Sequence, residues 1–203
     1  RMNGYKLCKT IKEDINISHI PVILLTARDD RQSQISGYKN GADGYLSKPF
    51  EVEMLMELIR NRLKNREYTK KRYLNAGLIP TPEESTISLT DETFLIKLNS
   101  IIQENIENSN LGIQFICQEV GLGRSSLYNK LKALTGMGAN EYISKLRIEK
   151  AITLISGTDM PFSEIAEKTG FTTPSYFSTA FKQYTGETPS QYKERKKKGL
   201  AGK

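Results

Sequence analysis

Leu127-Tyr128-Asn129-Lys130-Leu131-Lys132-Ala133-Leu134-Thr135-Gly136 is answered, at an offset of 50, by Phe177-Ser178-Thr179-Ala180-Phe181-Lys182-Gln183-Tyr184-Thr185-Gly186. In each copy large apolar or aromatic residues stand at i, i+4 and i+7, the spacing of one buried helical stripe. Upstream, Ile116-Cys117-Gln118-Glu119-Val120-Gly121 matches Ile165-Ala166-Glu167-Lys168-Thr169-Gly170 at an offset of 49, so one extra residue falls in the second turn. Gly121 and Gly170 sit where a helix must stop and the chain must turn sharply, which calls for a positive φ. Each unit therefore reads as helix, turn, helix. Two copies are too few for a solenoid, so this is a duplicated module.

A helix-turn-helix presents the polar face of its second helix to the DNA major groove. Here that face would carry Arg124, Ser125, Tyr128, Asn129 and Lys132 in the first unit, and Ser175, Ser178, Thr179 and Lys182 in the second. Arg and Asn suit guanine and adenine edges, while Lys and Ser suit phosphates. The plainer alternative is a helical hairpin with a solvated outer face. Two copies in matched phase within a basic segment weigh against it. Between the units, residues 139–156 read as one helix with Ile148, Ala151, Ile152 and Ile155 on its buried side. At 1.5 Å per residue it is roughly 27 Å long, a spacer able to hold two recognition helices about one DNA turn apart, roughly 34 Å. Ahead of the first unit, Thr90 followed by Asp91 and Glu92 predicts a helix start, with acids where the macrodipole favours them.

The chain has 203 residues and a formal charge of +7. The excess is local: residues 121–203 hold 14 basic against 7 acidic groups, whereas residues 90–120 hold one against five. A basic terminus such as Lys193-Glu194-Arg195-Lys196-Lys197-Lys198 is ordinarily a solvated tail; the alternative is an anionic polymer partner. No apolar run reaches the length of a membrane span, and nothing near Arg1 resembles a signal peptide. Two cysteines and one histidine can build neither a disulfide framework nor a four-ligand zinc site. They also leave no Ser/His/Asp or Cys/His set for catalysis. Cys8 and Cys117 read as helix-face fillers and His19 as a surface or packing residue. The expectation is a cytoplasmic protein that is not an enzyme and makes no membrane contact.

Residues 1–66 carry a different pattern. Leu7, Cys8 and Ile11 have helical spacing. Pro21-Val22-Ile23-Leu24-Leu25 is short, apolar and β-branched, as a buried parallel strand should be. Residues 29–39 read as helix and 44–47 as a second strand. Val52, Leu55, Met56, Ile59 and Leu63 mark one face of a third helix. This is α-β-α-β-α, the back half of a doubly wound sheet. Residues 67–89, with Gly77, Pro80 and Pro82 and no periodicity, read as a linker.

Residues 94–195 resemble the DNA-binding domain of the AraC family of transcription regulators. The resemblance rests on Ile165-Ala166, Gly170-Phe171, Ser175-Tyr176-Phe177, Phe181-Lys182, Thr185-Gly186, Thr188-Pro189 and Tyr192, with Tyr142, Arg147 and Ala151 on the linking helix. It implies seven helices, two helix-turn-helix units and no enzymatic activity. It places base contacts near Ser125, Tyr128 and Asn129, and near Ser175, Ser178 and Thr179. The first unit departs from the pattern: Gly138-Ala139 replaces the usual Ser-Pro, and Gly112 and Gly123 stand where a capping Ser is commoner.

Residues 1–66 resemble the C-terminal half of a CheY-like receiver domain from two-component signalling. Met2-Asn3-Gly4, Pro21-Val22 through Leu25-Thr26-Ala27, Gly41-Ala42-Asp43-Gly44-Tyr45 and Lys48-Pro49-Phe50 carry that likeness. The resemblance implies that Thr26 and Lys48 contact a phosphoryl group on an aspartate, that Tyr45 is the aromatic whose rotamer reports the state, and that Lys48-Pro49 is cis. The phosphoacceptor would lie a few residues before Arg1, with the acidic pair for Mg²⁺ still further upstream. Asp29, Asp30 and Asp43 fall in helix or loop positions and are not substitutes. Beginning on Arg1, the chain reads as a fragment. It should be inert to phosphorylation and hold no cofactor, Mg²⁺ being expected only for an intact receiver. The two strands should lack parallel neighbours, inviting disorder, swapping or dimerisation.

The expected architecture is mixed: a truncated doubly wound α/β receiver remnant at 1–66, a linker at 67–89, an all-α AraC-type domain at 90–195 with two helix-turn-helix units joined by a long helix, and a basic tail at 196–203. The expected function is receiver-controlled, sequence-specific transcription regulation in a phosphorelay. The expected partners are double-stranded DNA, a cognate histidine kinase domain, RNA polymerase, and a second copy bound through the receiver. The alternative is an interaction or dimerisation module for an acidic protein partner.

Overall fold

The computed structural model describes residues 2–28, 30–76 and 88–201; Asp29 and the middle of the expected linker lie outside the described residues. Ten helices and two short strands fall within them, so the protein is mostly helical. Two compact units emerge: Arg1–Lys97 with Leu122–Gly136, and Leu98–Gly121 with Met137–Lys203.

In the first unit, α1 (Gly4–Glu13) opens on Asn3, whose side chain accepts from the Lys6 amide at 2.8 Å. Strand β1 (Ile23–Thr26) pairs in parallel with β2 (Gly44–Ser47), in the register Leu24 to Tyr45 and Thr26 to Ser47. The two strands are thus each other's neighbours, against the expectation that both would stand alone. Helix α2 (Arg31–Lys39) crosses between them, capped by Asp30, which accepts from the Ser33 amide at 2.8 Å. Asp43 is likewise structural. Its Oδ2 accepts from the Val22 amide at 2.7 Å and pairs with Lys12 Nζ at 2.7 Å.

Helix α3 (Val52–Ala76) differs from expectation in length and in phase. It runs ten residues into the segment read as linker. Only part of the favoured stripe packs: Leu55 and Ile59 are half-buried, joined by Leu58 from outside it, while Val52, Met56 and Leu63 are exposed. The reason is Gly44. A Cβ there would lie 2.9 Å from Leu58 Cδ2, so the bare glycine on β2 admits Leu58 and rotates the helix toward it.

Helix α4 (Leu89–Glu104) starts on Ser88, whose Oγ accepts from the Asp91 amide at 3.2 Å. Thr90 has another task, donating to the Lys12 carbonyl at 3.0 Å. Helix α6 (Arg124–Thr135) completes the unit. Leu127 and Leu131 are buried, and α6 packs beside α3.

The second unit takes the rest of α4 with α5 (Ile113–Val120), α7 (Ala139–Gly157), α8 (Phe162–Lys168), α9 (Pro174–Thr185) and α10 (Pro189–Ala201). Helices α4 to α10 make the seven the resemblance implied. The expected basic tail begins inside α10. The core gathers Ile148, Ala151 and Ile155 of α7, Ile165 and Ala166 of α8, Phe177 and Phe181 of α9, and Tyr192 of α10. Four ring contacts run through it, from Phe171 to Tyr176 and Phe177, on to Phe181, then to Tyr192, with centroids 5.4 to 5.7 Å apart. Each such pair adds about 0.5–1.5 kcal/mol beyond its buried area.

Candidate nucleic-acid interface

Helix α9 shows how the second unit builds its outer face. Thr173 caps it, accepting from the Tyr176 amide at 3.1 Å, with Pro174 in the first turn, where its missing N–H costs nothing. Gly170, at φ +71, ends the preceding turn, and a Cβ there would meet the Ile106 carbonyl oxygen at 2.2 Å. Only glycine fits. Phe171, fixed by its backbone N–H donating to the Ala166 carbonyl at 2.9 Å, then drops into the core. With Phe177 and Phe181 fully buried, the positions between them must face outward. Ser175, Thr179 and Lys182 are exposed, and Ser178 is half-buried on the same side. Thr179 Oγ1 donates to the Ser175 carbonyl at 3.1 Å.

A polar clamp ties α9 to α7. Tyr184 Oη donates to Glu149 Oε1 at 3.2 Å, and Lys145 Nζ stands 3.6 Å from the same oxygen. Burial pushes Glu149 up and Lys145 down from their ordinary values, and pushes the Tyr184 hydroxyl up to about 12. Arg147, on the same α7, donates to the Asn108 carbonyl at 2.7 Å and lies over the Phe171 ring.

Helix α6 repeats the pattern in the first unit. Gly123 caps it without a side-chain bond, as Gly112 caps α5, so both lack the serine-type cap. Gly138 does the same for α7, its amide donating instead to Glu141 Oε2 at 3.3 Å. With Leu127, Leu131 and Leu134 buried, Arg124, Ser125, Tyr128, Asn129 and Lys132 are all exposed. The structure therefore brings the five expected residues of the first unit onto one face of α6 and the four of the second onto one face of α9.

Sequence reasoning missed Lys130. It is fully buried, and its ammonium bonds Asp91 Oδ1 and Ser18 Oγ, the latter at 2.7 Å. Ser18 Oγ in turn donates to Asp91 Oδ1 at 2.7 Å, and the ammonium lies 5.1 Å from the Phe94 ring centre. Burial pushes the Lys130 ammonium below its ordinary value, against the pull of Asp91. The signal was available. Lys130 stands on the apolar stripe with Leu127, Leu131 and Leu134, where the second copy has Ala180. Asp91, read as a macrodipole acid, is buried to serve this lysine.

At the carboxyl edge of the two strands, Thr26 and Lys48 come together: the Lys48 amide donates to the Thr26 carbonyl at 2.6 Å. Thr26 Oγ1 accepts from the Arg28 amide at 3.1 Å. Lys48 is exposed and its bond to Pro49 is cis. Tyr45 is buried, donating to the Arg28 carbonyl at 2.7 Å, and burial pushes its hydroxyl up to about 12. Among the described residues, no group of three His, Cys, Asp or Glu could hold a metal ion, and no helix is long and apolar enough to cross a membrane.

Comparison with known proteins divides the chain in two. Residues 1–60 match the response regulator receiver domain, and residues 116–195 match a helix-turn-helix domain. "Histidine kinase P4" of Formosa agariphila is 42% identical over 194 residues, covering 96% of this chain and 14% of that protein. The HTH-type transcriptional activator RhaR of Salmonella dublin is 34% identical over 102 residues, covering 50% of this chain and 36% of that protein. The chain thus spans well under half the length of these two relatives. The solved C-terminal domain of AraT, a response regulator from Geobacillus stearothermophilus, is 31% identical at a TM-score of 0.48, covering 50% of this chain and 84% of that one. Neither matched segment is an enzyme domain. Residues 1–60 belong to the response-regulator receiver family and residues 116–195 to the AraC-type helix-turn-helix family.

Proposed function

We propose that this chain is the DNA-binding output of a two-component transcription regulator, with α6 and α9 as its two reading helices. One observation carries the reading. The two copies of the repeat expose polar and basic residues in the same phase, on helices whose opposite stripes are buried. Asn129, Ser125, Tyr128, Ser175, Ser178 and Thr179 would meet base edges; Arg124 would meet guanine; Lys132 and Lys182 would meet phosphates. The receiver segment would govern this output, and Thr26 and Lys48 would sense a phosphoryl group supplied by a histidine kinase domain, with Tyr45 reporting it. Mg²⁺ would serve only an intact receiver. Dimerisation through the receiver would raise the effective concentration of the reading helices at paired sites, and RNA polymerase would be the downstream partner. In domain terms, the receiver segment occupies 1–66 and the DNA-binding domain 90–195.

The test is a titration of the 203-residue chain against a random-sequence duplex pool at two salt concentrations, with sequencing of the bound fraction. An enriched bipartite motif, with half-sites about one helical turn apart, supports two reading helices. Asn129→Ala and Thr179→Ala should each relax preference at one position by about 1–3 kcal/mol, while Lys182→Ala should weaken all sequences alike and flatten the salt slope. Binding to no duplex at either salt defeats the reading and favours a module for an acidic protein partner.

A further inference from the structure

We propose that the first reading helix is held shut by the receiver segment, and that α3 must leave α6 before α6 can enter DNA. This rests on the reading of α6 given above. Helix α3 packs along α6 within the first unit. Leu63, Arg66 and Lys70 of α3 line one cleft together with Tyr128, Asn129 and Lys132 of α6. Three of the five residues expected to read DNA therefore already face another helix. A helix with its side chains is about 10–12 Å across, and the major groove is about 12 Å wide. The groove has room for α6 alone, not for α6 with α3 across its reading face.

A second grip holds α6 from the other side. Ser18, between α1 and β1, bonds to both members of the buried Lys130–Asp91 pair. One residue of the receiver segment is thus tied into the side of α6 that faces away from DNA. The α3 contact is of another kind. Leu63 is 54% exposed, and the cleft gathers Arg66, Lys70 and Lys132 against Glu67, which pairs with Lys70 at 3.0 Å. A half-wet contact with excess positive charge is shallow, as a reversible closure requires. A chain that is competent only when open loses apparent affinity in proportion to its open fraction. The Ser18 anchor would keep α6 attached to the receiver segment while α3 moves, so that a change in one is felt by the other.

The experiment uses the full chain carrying Leu63→Cys and Ala133→Cys, in a Cys117→Ser background, joined by a cleavable bis-maleimide crosslinker. Neither altered cleft position is among the residues expected to contact DNA. Ala133→Cys alone, carrying the same reagent at one end, controls for the bulk of the linker. The crosslinked chain should bind its enriched duplex at least about tenfold more weakly than the control, with protection lost over the half-site read by α6 and kept over the other. Cleaving the linker should restore binding. The proposal is overturned if the crosslinked and cleaved chains bind alike, or if the two thiols do not join. If crosslinking succeeds but neither form selects any duplex, the DNA reading itself fails, and the closure falls with it.

Discussion

Replacing Lys130 by methionine should cost this protein about 4 kcal/mol of stability at neutral pH and much less in acid. Methionine keeps the apolar reach beside Phe94 and deletes only the ammonium. It leaves the Asp91 carboxylate, 3% exposed, with the Ser18 hydroxyl as its side-chain partner. Removing one member of a buried pair costs about 3–5 kcal/mol, because the other charge stays desolvated. A carboxylate can escape by taking up a proton, at about 1.4 kcal/mol for each pH unit above an aspartate's ordinary value of about 3.9. That route costs about 4 kcal/mol at pH 7 but only about 1.5 at pH 5, which caps the penalty at each pH. The assay is urea denaturation of parent and variant at pH 7 and pH 5, comparing the differences between them. Asp91→Asn on the Lys130→Met background should recover most of the loss, the non-additivity expected of two groups in one network. A variant within about 1 kcal/mol of the parent at pH 7, or an equal deficit at both pH values, would refute the account of Lys130 as a buried, charge-paired residue.

The two turn glycines should part company. Gly121→Ala meets open space and pays only for its positive φ, about 1–2 kcal/mol; Gly170→Ala also drives a Cβ into the Ile106 carbonyl and should cost clearly more, so equal melting temperatures would count against the 2.2 Å approach. Phe181→Ala, fully buried at the centre of the aromatic run, should cost about 3–5 kcal/mol in the same denaturation assay. His19 is held below its ordinary value first by burial and then by Lys130, with Arg66 and Lys12 adding to it and Asp91 opposing. The unfolded chain therefore binds a proton there more readily than the folded one, and stability should fall as pH drops through about 6.5 toward the folded value. Thermal melts between pH 8 and pH 5 should show that slope in the parent and a flatter one in His19→Gln; identical slopes would place the sensitivity elsewhere.

The duplicated module was legible because its information is periodic. An apolar stripe at i, i+4 and i+7 closed by a turn glycine constrains neighbours only a few residues apart, so Leu127 and Phe177 declare their burial without help from the rest of the chain. The same locality placed β1 and β2 within two residues, while the resemblance to the AraC pattern is what foretold the unserved caps at Gly112 and Gly123. By elimination that locality also turned outward the residues assigned to the two reading faces, all of them exposed but the half-buried Ser178.

What the tertiary structure alone decided involves partners remote in sequence. The expected stripe on α3 packs only through Leu55 and Ile59, and a bare Gly44 on β2 brings in Leu58, which lies outside that stripe. The end of α3 escaped sequence reasoning because Lys70-Lys71-Arg72 carries no apolar period, yet helix continues through it. Lys130 could become a core residue only because Asp91 and Ser18, 39 and 112 residues away, arrive together to pay for its desolvation. Periodicity reports which side of a helix is apolar, since that depends on a few bonds of local geometry. It is silent on which charged groups will meet, since that depends on how distant segments are brought together, and there the fold had the deciding word.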